Sequence, residues 1–525
     1  MPTVTATVVL EAELAGSGAG WTDLSADTRI GSQSLSLTYG VSGNSPTDRV
    51  AQSGTLVWSM NNAASNSGGV LGYYSPGHTN ARSGWDLGII VRLKITYGGT
   101  TYYKFRGTLV DVQPQAGQYR NRAVDCSAVD WMDEAARSKI TGIAIQENQR
   151  SDQLVSTIVT NSVARQPAAT SYATGQSTFA ISLDNLKDNQ TSVMAALSDV
   201  VASELGYLYV KGDTTQGGTL VFEDRHARPK AGAAVHTFNN SMIELEVLRS
   251  RNDIINRVFV VVHPRTVSGS SSVLYEMTTT ESVPKVLAGT TLKITALYKE
   301  PSINAYRVAG KTLVTPVAGT DWIANTAADG GGSVITSDTT LTFGTTGANA
   351  VELVIANTGT VDAYITTLQV RGTQVADTSE VVMASSDTSS QTTYGEVDTR
   401  IDMPYESDVT LAGAISEWIL GVYKDPRYVL NGLTVVGSAS SALMTQCLAR
   451  EPGDKISVVE TVSGITDSEG AAEVGYFING VELTIAAGNI LTAAWALSPA
   501  DSSAFWILQT VGASELGVTT VLGFA

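Results

Sequence analysis

Cysteine is almost missing from this chain. There are two in 525 residues, Cys126 and Cys447, and they match no metal-ligand or redox spacing, which excludes a disulfide framework and a cysteine zinc site. They read as thiols in a reducing compartment. Basic residues are scarce too. Thirty-three Lys and Arg stand against fifty Asp and Glu, a formal charge of −17 and a pI near 4.7. Such a field repels nucleic acid and anionic membrane, which argues against a groove that grips DNA. The four histidines are His78, His226, His236 and His263, and no two have the i, i+4 spacing of a helical zinc site. No run is long and apolar enough to span a bilayer. The N-terminus has neither a basic n-region nor an apolar h-region. The expectation is a chain that matures as a soluble cytosolic protein, without membrane insertion, metal or cofactor.

What is present points to several packed β units. Hydrophobic residues make up 43% and charged residues 16%, which excludes a disordered tail and supplies apolar surface for more than one core. The length suggests roughly three to five units. Forty-nine glycines with abundant Thr, Ser and Val favour short strands and tight turns. The fold class expected is mainly β and multidomain: two tube-type β-barrels, a small α+β unit and an inserted β-sandwich.

Residues 1–140 alternate at period two around Leu35–Tyr39, Gly54–Met60, Ile90–Ile95 and Tyr102–Val110, as a first β-barrel would. Tyr97-Gly98-Gly99-Thr100 suits a hairpin. The loop from Asn61 to Gly84 is longer than most connections. Residues 141–243 read as the α+β unit. Helical spacing appears at Leu154, Val155, Ile158 and Val159 and again at Val193, Leu197, Val200, Val201 and Leu205. Asp188 or Asn189 is expected as the second helix's N-cap and Gly206 as its left-handed stop. Residues 271–385 have their own alternation and read as the inserted sandwich. Residues 244–270 and 386–525 flank it and read as the second barrel with helices.

The two ends share a pattern. Tyr103-x-Phe105-x-Gly107-x-x-Val110-x-Val112 aligns without gaps on Tyr476-x-Ile478-x-Gly480-x-x-Leu483-x-Ile485. The strand before pairs Gly88, Val91 and Leu93 with Gly453, Ile456 and Val458. The strand after pairs Val124, Cys126 and Ala128 with Ala493, Trp495 and Leu497. A glycine at the same place inside each strand marks a bulge or a close backbone approach.

Gly475–Glu482 followed by Trp495–Asp501, with Tyr423–Tyr428 before a strand, resembles the C-terminal barrel of tailed-phage minor tail proteins. Asp48–Trp58 with Gly72–His78 is similar to their N-terminal barrel, and Leu205–Tyr209 leading to Leu220–Asp224 is similar to the helix-and-hairpin unit of baseplate-hub proteins. The resemblance implies a non-enzymatic structural protein of the virion tail tip, assembled in the host cytoplasm as a homotrimer whose six barrels match a sixfold tube. It implies a tail-tube or distal-tail ring on one side and a tape-measure, fibre or spike protein on the other. DNA would only pass through the lumen. A carbohydrate-binding adhesin built from β-sandwiches is the alternative.

No catalytic set is found. Gly-x-Ser-x-Gly never falls on a strand-to-helix elbow, and with fifty acidic residues some carboxylate pair can always be drawn, so a glycosidase reading has no specific support. Asp467-Ser468-Glu469-Gly470 is a fragment of a calcium loop and reads as a turn. Trp58 reads as core. Tyr73, Tyr74 and Trp85 are the candidate contact residues, for a subunit or a stacked ligand.

Overall fold

A computed structural model describes residues 4–500, apart from 17, 31–33, 44, 116–121, 229–230, 240, 278–282, 300–307, 378, 427–428 and 461–472. The Asp467–Gly470 turn, Arg427, Tyr428 and Asp501 therefore lie outside the described residues. The chain is mainly β and multidomain, with six helices among the described residues.

The largest element is a 13-stranded sheet built from both ends of the polypeptide. Its first half orders strands in space as Thr7–Ala12, Ile90–Tyr97, Thr100–Pro114, Ala123–Val129, Thr55–Asn61 and Leu35–Gly40. Its second half runs Thr237–Asn239, Lys455–Val459, Glu473–Ala486, Ile490–Pro499, Val429–Val436 and Glu244–Leu248. Setting aside the short pairing at Thr22–Asp23, each half places its strands in the same order: first, fourth, fifth, sixth, third, second. Tyr103 and Tyr476 both lie on the fifth strand. The halves differ at one pairing, first with fourth, which is antiparallel in the N-terminal half and parallel in the C-terminal half.

The expected pair of separate closed barrels is corrected here. Among the described residues no sheet closes on itself. Residues Gly480–Ile485 of one half pair instead with Leu35–Gly40 of the other, and the strands become one continuous sheet over one shared core, from Leu10 and Trp58 to Tyr476 and Trp495.

The gap-free alignment holds for topology but not for every side chain. Bulges fall at Lys104 and Val110 in one fifth strand and at Asn479 in the other. Each bulge reverses the in–out phase, so Tyr103 is half-buried while Tyr476 is buried. Both glycines meet close backbone. A Cβ on Gly107 would stand 2.1 Å from the Val129 carbonyl oxygen, and one on Gly480 would stand 3.0 Å from that of Val41.

The α+β unit packs helices Trp131–Arg137, Ser151–Ser162 and Val193–Glu204 around the Tyr207–Lys211 and Thr219–Glu223 hairpin. Leu154, Val155, Ile158 and Val159 line one helical stripe and are buried, as their spacing requires. The third helix is capped by Ser192, whose Oγ accepts from Ala195 N at 3.1 Å, and not by Asp188 or Asn189. Its left-handed residue is Leu205 (φ 59°). Gly206 follows because a Cβ there would lie 2.3 Å from the Glu223 carbonyl oxygen. At the predicted hairpin, Gly98 and Gly99 both have positive φ (57° and 81°), as a tight two-residue turn demands.

Arg257–Val262 forms the centre of a separate three-stranded sheet, between Val381–Ser386 and Asp398–Met403. Helix Val409–Tyr423 covers it, burying Ala412, Ile415 and Ile419. Between the first two of these strands run a five-stranded and a three-stranded sheet, packed over Leu274, Trp322, Leu353 and Ile365.

Candidate interface at the junction of the chain ends

Buried charge is found where the two halves meet. Lys104, on the first half's fifth strand, is 1% exposed. Its Nζ donates to the Leu448 and Arg450 carbonyls at 3.1 and 3.2 Å and pairs with the Glu451 carboxylate. Glu451 also accepts from Tyr39 Oη at 2.8 Å and from Gly212 N at 3.0 Å. One carboxylate thereby ties the first half, the α+β hairpin and the second half. Burial raises its pKa and Lys104 opposes the rise; the pKa of the Tyr39 hydroxyl is raised well above its ordinary value by burial and by Glu451.

A second knot forms at the bulge. Asn479 donates from Nδ2 to Gly43 O at 2.9 Å, while its Oδ1 accepts from Arg228 Nη1 at 2.7 Å and Ser498 Oγ at 3.1 Å. Arg228 also donates to Glu223 at 2.9 Å and lies 3.5 Å over the Tyr207 ring. Buried charges of this kind are stable only when hydrogen-bonded on several sides, and each partner here comes from a different segment.

Seven neighbouring strands cross the junction, from Glu244–Leu248 through Val429–Val436, Ile490–Pro499, Glu473–Ala486, Leu35–Gly40 and Thr55–Asn61 to Ala123–Val129. None of the seven contains Lys or Arg. The face away from the core carries small and hydroxyl side chains such as Thr38, Thr484 and Ala494, with exposed Glu244, Glu246 and Glu482. A groove of about 850 Å³ runs over it, floored by 431–434, 480–482 and 494–497. Basic strand residues begin beyond it, at Arg92, Lys94, Lys104 and Arg106.

The candidate contact residues fare differently. Tyr74 and Trp85 are buried at 0% and 2% exposure. Tyr74 Oη donates to Asp27 at 2.6 Å and accepts from Arg82 at 2.8 Å, and Trp85 Nε1 donates to Tyr74 O at 3.1 Å. Those two rings build the long loop from inside. Tyr73 stays half-buried under the Arg82 guanidinium, 5.4 Å from its ring. Among the described residues no group of His, Cys, Asp and Glu is placed to hold a metal ion, and no helix is long and apolar enough to cross a membrane. Both cysteines are buried, and burial pushes the Cys447 thiol up to about 12. The Lys104–Glu451 pair was not foreseen from sequence. Its only trace is a lysine between Tyr103 and Phe105 in a strand that also carries Arg106 and Asp111, which reads equally well as a solvent-facing residue.

No family model and no curated protein sequence matches the chain. Among solved structures it is similar to the tail protein from Neisseria meningitidis MC58, at 9% identity and a TM-score of 0.45 over 94% of this chain and 96% of that one. It is likewise similar to the prophage MuSo2 43 kDa tail protein from Shewanella oneidensis, at 11% and 0.45, over 95% and 98%. The prophage tail protein gp18 from Listeria monocytogenes EGD-e is similar at 8% and 0.37, over 93% and 94%. These are likenesses of fold.

Proposed function

We propose that this chain is a structural, non-enzymatic hub of a phage tail tip, three copies of which form a ring around the tail's channel. The observation that carries the reading is the double use of one strand order, fused into a continuous sheet by the Leu35–Gly40 and Glu473–Ala486 pairing. A chain with two like units turns three copies into six similar wall segments, which reconciles a threefold tip with a sixfold tube. The seven strands without Lys or Arg are assigned to the channel wall, because a neutral-to-acidic face lets DNA pass without binding phosphate. A tail-tube or distal-tail ring sits on one side, and a fibre, spike or tape-measure end on the other. The resemblance of Gly475–Glu482 and Trp495–Asp501 to minor tail proteins supports the same assignment.

The test is assembly. Purified chain added to tail tubes lacking their tip should cap them, as seen by electron microscopy. Chain carrying Glu482→Lys should still cap the tubes, but the assembled tip should retain DNA in a salt-dependent way. Failure of the unmodified chain to associate with tube ends would overturn the reading.

A further inference from the structure

The junction inside the chain joins the fifth strand of the second half to the second strand of the first. Because both halves share a strand order, the reciprocal pair also exists, the fifth strand of the first half and the second strand of the second. Those two edges have no strand partner among the described residues. Strand Thr100–Pro114 is paired on its outer side only through Thr108, and the last bonds there are Leu109 N to Ile89 O at 2.9 Å and Gly88 N to Leu109 O at 2.8 Å. Residues 110–114 are bonded to Ala123–Val129 alone. Strand Glu244–Leu248 ends the sheet, bonded only to Val429–Val436.

The open hydrogen-bonding groups match in phase. Gln115 N donates to Ala123 O at 3.0 Å, so strand alternation turns the N–H and C=O of Val112 and the C=O of Pro114 outward. The Thr434 carbonyl accepts from Ile243 N at 2.9 Å and so faces Glu244, its partner in register. Alternation then turns the N–H and C=O of Leu245 and Val247 outward. On both edges the outward groups belong to residues whose side chains pack on the shared core, Val112 on one and Leu245 and Val247 on the other. The internal junction has this phase as well, with Leu483 opposite Leu37, both core residues.

We propose that strand Glu244–Leu248 of one copy adds antiparallel to residues 110–114 of the next, repeating between copies the pairing found within the chain. This rests on the ring reading above and supplies its contact: a head-to-tail interface that closes by rotation. Charge selects the register. Val112 opposite Leu245 would set Asp111 against Glu246, two like charges directly opposed. Val112 opposite Val247 sets Gln113 against Glu246 and Asp111 against the exposed Leu248. Pro114 has no N–H to offer on the open side, which stops the ladder there and protects the free edge from unselective pairing.

In this register Gln113 and Glu246 form a non-hydrogen-bonded pair, with Cα atoms about 4.5 Å apart, within reach of a disulfide. The experiment oxidises full-length chain carrying Gln113→Cys and Glu246→Cys; buried Cys126 and Cys447 do not compete. The expected result is a covalent species of three chains on a non-reducing gel. Each single variant should stay at one chain, and their equimolar mixture should stop at two. A variant that is trimeric by native mass yet forms no link overturns the strand addition and leaves the ring reading standing. One that is monomeric at every concentration and forms no link overturns both. Dimers from Glu246→Cys alone overturn it by showing an edge that pairs with itself. Faster linkage in a parallel Asp111→Cys, Glu246→Cys chain overturns the register.

Discussion

Replacing Lys104 by Met tests what holds the two ends together. The substitution keeps the stem's volume and deletes a charge with 0% side-chain exposure. It leaves the Glu451 carboxylate buried, with only Tyr39 Oη and Gly212 N as close donors of those that held it. Removing one partner of a buried ion pair costs about 3–5 kcal/mol. The cost should depend on pH. Burial already raises the Glu451 carboxyl, and Lys104 is the main influence lowering it. Without Lys104 it rises further, so native-state stability is fully present below the unfolded carboxyl value and is lost as pH climbs through the folded one. The variant should therefore be weakest in alkali and closest to the parent in acid. Adding Glu451→Gln removes the second charge while the amide oxygen still accepts from Tyr39 and Gly212. A chain of several units does not unfold in two states, so the assay is native-state hydrogen exchange of the amides in Leu35–Gly40 and Thr100–Pro114. Lys104→Met should lower their opening free energy by about 3–5 kcal/mol, and the double variant should recover most of it. A single-variant loss below about 1 kcal/mol, or a double variant no better than the single, would refute the reasoning.

Other tests follow from single positions. Asp130 caps helix Trp131–Arg137 through Met132 N at 3.0 Å, its Oδ2 is buried without a partner, and burial pushes its carboxyl up to about 7. The folded value lies above the unfolded one, so its stabilising contribution is present below about pH 4 and lost as pH rises through 7; Asp130→Asn should flatten that fall in a thermal-unfolding pH series. Gly107→Ala forces a methyl against the Val129 carbonyl and should cost about 1–3 kcal/mol, read as faster exchange across Thr100–Pro114, whereas Gly232→Ala, with open space around its Cβ position, should change nothing. Excising 265–377 and joining the ends should leave soluble chain that retains the 13-stranded sheet, because that segment has its own core. Excision of 271–385 should be worse tolerated, since it removes most of Val381–Ser386, a strand of the sheet centred on Arg257–Val262.

Strand positions were legible because period-two alternation is local, and so were the helix stripes at Leu154–Val159 and Val193–Val201. The correspondence of Tyr103 with Tyr476 was legible because two glycines in two strands answer the same need, backbone pressing on backbone. What joins the halves was not. Leu37 and Leu483 are neighbours in the register although they stand 446 positions apart in sequence, and nothing near either residue in sequence selects the other. Tyr74 and Trp85 sit in a stretch without helix or strand, where no periodicity separates an inward ring from an outward one. Ser192 displaced Asp188 and Asn189 as a cap because the chain first runs through the turn at Lys187–Thr191, bonded back to Ile140. Val381–Ser386 alternates like the strands before it, and only its pairing with Arg257–Val262 shows which sheet it joins.

The most direct measurement is the native mass of the purified chain over a range of concentrations. A species at three times 55.1 kDa, with no stable population at two, is the result that head-to-tail closure of this sheet requires. A chain that stays at one copy however concentrated, and also in the presence of tube ends, would contradict it.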